Sequence, residues 1–413
     1  MEDKERGLAG APGSVSKYVI LGVTGSVAAY KSPLVVRAIK DYGIGVRVVM
    51  TEAAKQFVTP LSLELVSGNP VLWDSFQSPL SHIEIARDAC ALIAAPATLN
   101  TISKFSTGVA DNLLTTLFMA FRGPVIIAPA MNWRMYDNPI FKDRLAYLKD
   151  KGIIEVTPER GALACGEEGV GRMASTQRIV YTLKRTLGAN DMKGLKVIVT
   201  SGPTREYIDP VRFITNRSSG KMGRALARAA CLRGAFVTLI SGPSSAPSHD
   251  DVLDEIDDAE IIRVETSGEM EKAILEKSKE ADIVVMAAAV CDFKPEKFSQ
   301  DKLSRSEGLT LELVKTADIL GKISAHASKK TYLTGFAAET GDRKDRAREK
   351  LQKKGIDMIV FNDVTQEGAG FDSDTNIMTI ITPTEELSIP KMSKDAGANR
   401  IFDKILLNIK GRN

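Results

Sequence analysis

Short apolar runs punctuate this chain, and several end in glycine, proline or a small hydroxyl residue before a stretch of helical period takes over. "YVILGVTGS" leads into "VAAYKSPLVVRAIKDYG", whose apolar residues recur with a helical period and whose Gly43 is placed to end the helix. "VRVVMT", "ACALIAAPA" and "GPVIIAPAMN" read as further buried strands, with "NTISKFSTGVADNLLTTLFMAF" as one helical segment between the last two. The pattern restarts near residue 195. "LKVIVTSGPT" is a strand running into a turn, "SSGKMGRALARAACLRG" a helix with a glycine stop, and "AFVTLISGP", "ADIVVMAAAV" and "GIDMIVFND" are strands. Strands alternating with helices predict an α/β chain: two doubly wound, three-layer domains with mainly parallel sheets. The polar link "LGANDMKG" sets the boundary, giving domains over 17–190 and 191–413. The polar start, residues 1–16, is expected to be a disordered tail.

At 413 residues the chain has room for roughly two to three domains of ~150 residues. Its 55 Lys and Arg nearly balance its 52 Asp and Glu, which argues against a nucleic-acid partner and leaves room only for a local anion site. Cys90, Cys165, Cys231 and Cys291 lie far apart with no paired spacing, and His82, His249 and His326 show no metal-ligand spacing. Neither zinc nor a disulfide framework is expected. With no signal peptide and no apolar stretch near the ~20 residues a bilayer requires, the expected location is the cytoplasm, away from any membrane. The acidic run at 248–260 and the charged helix at 342–355 read first as solvated surface.

In open parallel sheets, ligands bind beyond the carboxyl ends of the strands. In the first half those ends carry Thr24, Gly25 and Ser26, then Thr51, then Thr98, then Asn132. "GVTGS" opening a helix suits a phosphate but lacks the glycine spacing of a dinucleotide fingerprint. His82 in "SHIEIAR" lies on a helix or a loop. Cys165 sits in "GALACGEEGVGRM", a glycine-rich, charged loop poorly suited to core packing, whereas Cys90 fits a buried strand. In the second half, Ser218, Ser219, Gly220, Lys221 and Gly223 open a helix without Walker A spacing. Asp292, Lys302, Lys350 and Lys354 could surround a nucleotide triphosphate; each lysine alone reads as a surface charge.

"GVTGSVAAYKS", "SHIE", "APATLNTISKFSTGVADNL", "PAMN" and "ACGEEGVGRM" together resemble the flavin-containing cysteine decarboxylases, specifically the phosphopantothenoylcysteine decarboxylase branch, over residues 17 to about 185. The resemblance implies a flavodoxin-like, Rossmann-like domain with an FMN site built from Gly25, Ser26, Thr51, Thr98, Asn100 and Thr101. It also implies His82 near the flavin, Asn132 on the substrate carboxylate and Cys165 as proton donor. A cysteinyl carboxylate that loses CO2 leaves electrons with nowhere to go; FMN solves this by oxidising the thiol to a thioaldehyde.

Residues 191 to about 408 resemble phosphopantothenate–cysteine ligase, as fused to the decarboxylase in bifunctional coenzyme A biosynthesis proteins. The motifs are "GPTRE", "IDPVRFITNRSSGKMG", "AAAVCDF", "ADIL", "GFAAET" and "AREKLQKKGIDMIVFND". The resemblance implies CTP held by Met286, Ala287, Ala288, Asp292, Lys302, Ala317, Asp318, Ile319, Leu320, Phe336, Lys350 and Lys354. Asn216 would act in the acyl-cytidylate step, Lys302 would support its formation, and Mg2+ would accompany the triphosphate. Its metal ligands are not assigned. Cys291 departs from the alanine usual at that position. Substrates implied are 4'-phosphopantothenate, cysteine and CTP. The implied assembly is a homo-oligomer, trimer or dodecamer through the flavin domain and dimer through the ligase domain. Two other readings stay open: a non-catalytic regulatory protein on the flavoprotein fold, and a flavin prenyltransferase or peptide-cysteine decarboxylase. The attached second half argues against the last.

Overall fold

The computed structural model describes residues 18–75, 81–162, 166–243, 259–304, 309–328 and 330–411. The chain divides into two compact units, Met1–Leu187 and Gly188–Asn413. The expected tail, Cys165 and most of the acidic run at 248–260 lie outside the described residues.

The first unit is built on β1 (Tyr18–Val23), β2 (Gly45–Met50), β3 (Ala89–Ala97), β4 (Val125–Pro129) and β5 (Ile154–Glu155). They form one parallel sheet in the order β2-β1-β3-β4-β5. Alternate residues feed two cores. Val19, Leu21, Val48 and Ile93 face one side, and Ile20, Leu92, Ala94 and Ile127 face the other, all buried. A strand covered on both faces has no polar side to show, which is why these segments read as continuous apolar runs. The strand order reverses between β1 and β3, so the crevice for a ligand opens at their carboxyl ends.

Two expectations need correction. The segment between β3 and β4 is not one helix. Helix Leu99–Thr107 stops at Gly108, and a second, Leu113–Ala120, starts behind a capping box at Asn112. The glycine-rich stretch near Cys165 is flanked by an antiparallel hairpin, β6 (Glu159–Ala162) and β7 (Glu168–Arg172). "SHIEIAR" resolves as helix Ser81–Asp88.

The second unit carries β8 (Lys196–Ser201), β9 (Arg205–Tyr207), β10 (Phe213–Thr215), β11 (Phe236–Ser241), β12 (Ala259–Arg263) and β13 (Ile283–Met286). These are followed by β14 (Phe293–Pro295), β15 (Leu313–Lys315), β16 (Tyr332–Glu339), β17 (Met358–Asp363), β18 (Thr375–Ile381) and β19 (Glu386–Ser393). The main sheet runs β12-β11-β8-β13-β16-β17-β18-β19. It is parallel up to β17 and closes with the antiparallel pair β18 and β19. Strand order reverses between β8 and β13, again placing a crevice at carboxyl ends. Two short antiparallel ribbons, β9–β10 and β14–β15, stand apart from the main sheet. The polar link is integrated into this unit: Met192 is buried, its N–H donates to Arg233 O, and Asp191 pairs with Arg233 at 2.6 Å.

Candidate functional site

In the first unit, a buried threonine joins the two strand ends at the crevice. Thr24 Oγ1 donates to Pro96 O at 2.7 Å and accepts from Thr98 N at 3.0 Å. Ser26 caps the short turn Val27–Lys31, and Thr98 caps helix Leu99–Thr107 by accepting from Thr101 N at 3.4 Å. Two helical segments therefore direct their first amides towards one place. Thr101 is buried against Thr98, their hydroxyls 3.2 Å apart, while Asn100 is exposed in the same first turn. Thr51 closes the group from the end of β2. Its N–H donates to Val23 O at 3.0 Å, and its hydroxyl is buried with no partner. An orphaned hydroxyl is costly unless a ligand satisfies it. Gly25 lets the turn approach the next one: a Cβ there would lie 2.5 Å from Ala53 Cβ.

Asn132 follows β4 and caps helix Trp133–Tyr136, its Oδ1 accepting from Arg134 N at 2.8 Å. Ala130 N donates to Ala97 O, which ties this strand end to that of β3. The hairpin is fastened to the same loop. Met131 N donates to Gly171 O at 3.0 Å, and Glu167 takes Trp133 Nε1 at 2.8 Å and Arg134 Nη2 at 2.7 Å. Helix Ser81–Asp88 leads into the amino end of β3, so its start, with half-buried His82, lies towards the carboxyl edge. Gly171 has no room for a side chain, because a Cβ would stand 2.2 Å from Met131 O. Gly171→Ala should separate hairpin from loop and lower at least tenfold the decarboxylation that the resemblance implies for this unit, with the implied ligation retained; separate assays of the two half-reactions check this.

In the second unit, a cavity of ≈730 Å³ opens at the carboxyl ends of β13, β16 and β17. Met286, Ala287 and Ala288 form one wall, held by Ala288 N donating to Thr200 Oγ1 at 3.1 Å. Asp292 follows, with Cys291 buried behind it and its thiol 3.5 Å from Thr204 O. Burial pushes the Cys291 thiol above its ordinary pKa. Ala317, Asp318, Ile319 and Leu320 start helix Ile319–His326 on the next wall, and Phe336 comes from β16. Lys350 and Lys354 reach in from helix Lys344–Lys354. Lys350 donates to Phe336 O at 3.0 Å, and burial lowers its pKa. Lys354 pairs with Asp318. Burial works against that carboxylate, yet the Lys354 ammonium and Gly321 N–H outweigh it and hold its pKa low. Asn216 lines the cavity too, its Nδ2 donating to Val290 O at 2.9 Å.

Lys302 is the exception: it is exposed and lies outside the cavity wall. Its neighbour Leu303 is tied to the Asp209–Arg212 turn through Leu303 N to Asp209 Oδ2 at 3.2 Å. Four residues to which the sequence assigned no role line the cavity as well: Asn362, Phe371, Asn376 and Lys394. Asn362 is the last residue but one of β17, so the strand-end rule could have found it, and its Oδ1 is buried without a partner. Among the described residues no group of three or more His, Cys, Asp or Glu could hold a metal, and no helix is long and apolar enough to cross a membrane.

Comparison with known proteins follows the same division. A family described as Flavoprotein matches residues 13–188. A second, DNA/pantothenate metabolism flavoprotein C-terminal domain, matches residues 192–408. The coenzyme A biosynthesis bifunctional protein CoaBC of Bacillus subtilis is 42% identical over 388 residues, covering 92% of this chain and 94% of that protein. The chain belongs to this bifunctional family. The family member from Vibrio vulnificus is 40% identical over 397 residues, 94% of this chain and 97% of that protein. The solved C-terminal domain of a CoaBC protein is 34% identical and covers 54% of this chain and all of that one, with a TM-score of 0.44. As in its family, the chain is a bifunctional enzyme of coenzyme A biosynthesis with a decarboxylase and a ligase unit.

Proposed function

We propose that the second unit joins 4'-phosphopantothenate to cysteine at the expense of CTP, and that the first unit decarboxylates the resulting 4'-phosphopantothenoylcysteine to 4'-phosphopantetheine with FMN. The observation that carries this is convergence at both crevices. Asn216 and eleven of the twelve residues assigned to CTP line one cavity. Gly25, Ser26, Thr51, Thr98 and Thr101 gather at neighbouring strand ends, with Asn132 beside them.

A carboxylate does not condense with an amine in water without activation. Attack of the pantothenate carboxylate on the α-phosphorus of CTP expels pyrophosphate and leaves an acyl-cytidylate. The cysteine amine then attacks the acyl carbon, and CMP departs. Lys350, Lys354 and Mg2+ brought in with the nucleotide offset the charge that builds up on the phosphates. Asn216, facing the cavity, orients the acyl group. The part of Lys302 in forming the acyl-cytidylate rests on the sequence match.

The first crevice fits FMN on two counts: two helix starts suit its phosphate, and the orphaned Thr51 hydroxyl has a partner to gain. When bound, FMN supplies reversible oxidation of the thiol, which lets the electrons freed with CO2 delocalise onto sulfur. Asn132 donates its carboxamide N–H to the substrate carboxylate until it leaves, and the strand end and cap fix that group in place. His82 would lie beside the bound flavin, and Cys165 would deliver the proton to the carbon that lost CO2. Homo-oligomers, trimeric or dodecameric through the flavin unit and dimeric through the ligase unit, have support from exposed apolar side chains such as Tyr30, Leu61 and Leu65, and Val211, Phe293 and Phe298. A reducing cytoplasm suits a free-thiol substrate.

Purified chain should be yellow or take up added FMN. It should release CO2 from supplied 4'-phosphopantothenoylcysteine without CTP, and require CTP when given 4'-phosphopantothenate and cysteine. Colourless protein that rejects FMN and releases no CO2 would rule out the decarboxylase reading.

A further inference from the structure

Lys394 opens the last helix, Lys394–Lys410, and is only 7% exposed, yet it lines the ligase cavity. Its ammonium donates to the backbone carbonyls of Phe371, at 3.0 Å, and Ser373. An ammonium has three N–H groups, so two neutral partners leave one to spare. Among the described residues no carboxylate lies within ion-pair distance of it. The two carboxylates that act on it electrostatically are engaged elsewhere: Asp372 with Arg217 at 2.7 Å, and Asp374 with Lys221 at 2.6 Å. A buried cation held only by carbonyls is costly unless a counter-charge arrives.

The surroundings point the same way. Helix Lys221–Leu232 begins at Gly220 with no side-chain cap, so its first amides have no partner of that kind. Gly223 lets that start sit hard against β8, since a Cβ would be 2.6 Å from Ser201 Cβ. Segment 370–374 is drawn across this helix start. Ser219 Oγ donates to Phe371 O at 2.6 Å, and Lys221 Nζ to Asp372 O at 2.9 Å. The charged groups facing Lys394 are therefore Lys221 and Arg224 from this helix and Asp372 and Asp374 from the segment.

We propose that Lys394 is a binding residue of the ligase, the buried counter-charge for the phosphate chain of the nucleotide at this end of the cavity. This rests on reading the cavity as the nucleotide site. Burial, reinforced by Lys221 and Arg224 and opposed by Asp374 and Asp372, lowers its pKa to about 8. A polyanion beside it stabilises the ammonium and raises that value, so binding draws a proton from solvent. At pH 8.5 a free amine of this pKa is mostly neutral, and uptake should approach roughly three-quarters of a proton per nucleotide.

Calorimetry of Mg-CTP binding to the full chain, in two buffers of different ionisation enthalpy and with neither other substrate present, tests this. Wild type should take up protons at pH 8.5 and far fewer at pH 7. Lys394→Arg, permanently charged, should bind within about fivefold of wild type and lose that share of the uptake. Lys350, the other cavity amine whose pKa burial lowers, is present in both chains, so the difference isolates Lys394. Lys394→Met should bind at least tenfold more weakly at pH 7.5; if it does not fold, the comparison of wild type with Lys394→Arg decides. Equal uptake in those two chains, or a Lys394→Met affinity within twofold of wild type, overturns the inference. Absence of any Mg-CTP binding by wild type overturns the reading of the cavity itself.

Discussion

Replacing Asn132 with aspartate should lower decarboxylation of supplied 4'-phosphopantothenoylcysteine by roughly 100-fold or more, the scale seen when a preorganised hydrogen-bond donor is lost. The substitution is chosen because aspartate caps a helix as well as asparagine does. The bond from Arg134 N to the residue 132 side chain survives, so helix Trp133–Tyr136 and the loop keep their shape. What disappears is the N–H donor, and a second carboxylate now faces that of the substrate. Ligation, carried by the other unit, should proceed at the parent rate. The check is a paired assay: CO2 release from the pre-formed amide, and CTP-dependent amide formation from its precursors. Decarboxylation within threefold of wild type would remove Asn132 from the account.

The second large effect is expected at Lys350. Lys350→Met keeps the length and the apolar stem but removes the ammonium that lines the second unit's cavity. A hydrogen bond to a charged group contributes about 1.5–3 kcal/mol, so CTP affinity should fall roughly 10- to 150-fold. Stability should move little. Burial lowers the Lys350 pKa, so the ammonium is held against a desolvation cost. Relieving that cost offsets the lost bond to Phe336 O. Calorimetric affinity for Mg-CTP and the melting midpoint of the ligand-free chain separate the two effects. A chain that melts far lower and binds CTP normally would make Lys350 structural.

Much of the architecture could be read from residue pattern, and the reason is physical. Strands such as β3 and β8 are buried on both faces, so their apolar runs are nearly unbroken and end at glycine, proline or threonine. The residues beyond those ends stand out in the sequence because the crevice of such a sheet lies there. The break between helices Leu99–Thr107 and Leu113–Ala120 was missed although Gly108 and Asn112 announce it, since the apolar period continues through Val109. The β9–β10 ribbon carries no such pattern because its strands are three residues each, too short for an alternation to show, and pairing rather than burial defines them. Lys394 carries no local signal. It stands in "KMSKDAG", an ordinary charged helix start, and only the fold brings Phe371 and Ser373 to its amine. The Glu167 latch on Trp133 and Arg134 was equally invisible, being a contact between the hairpin and the β4 loop.

The most direct measurement is a single incubation of the purified, FMN-supplied chain with 4'-phosphopantothenate, carboxyl-labelled cysteine, CTP and Mg2+. One pyrophosphate and one CMP should appear per amide formed, followed by release of labelled CO2 and accumulation of 4'-phosphopantetheine. Omitting CTP should stop both steps, and the Asn132→Asp chain should stop after the amide. Labelled CO2 released without CTP, or amide accumulating in wild type with its carboxyl label intact, would contradict this order of reactions.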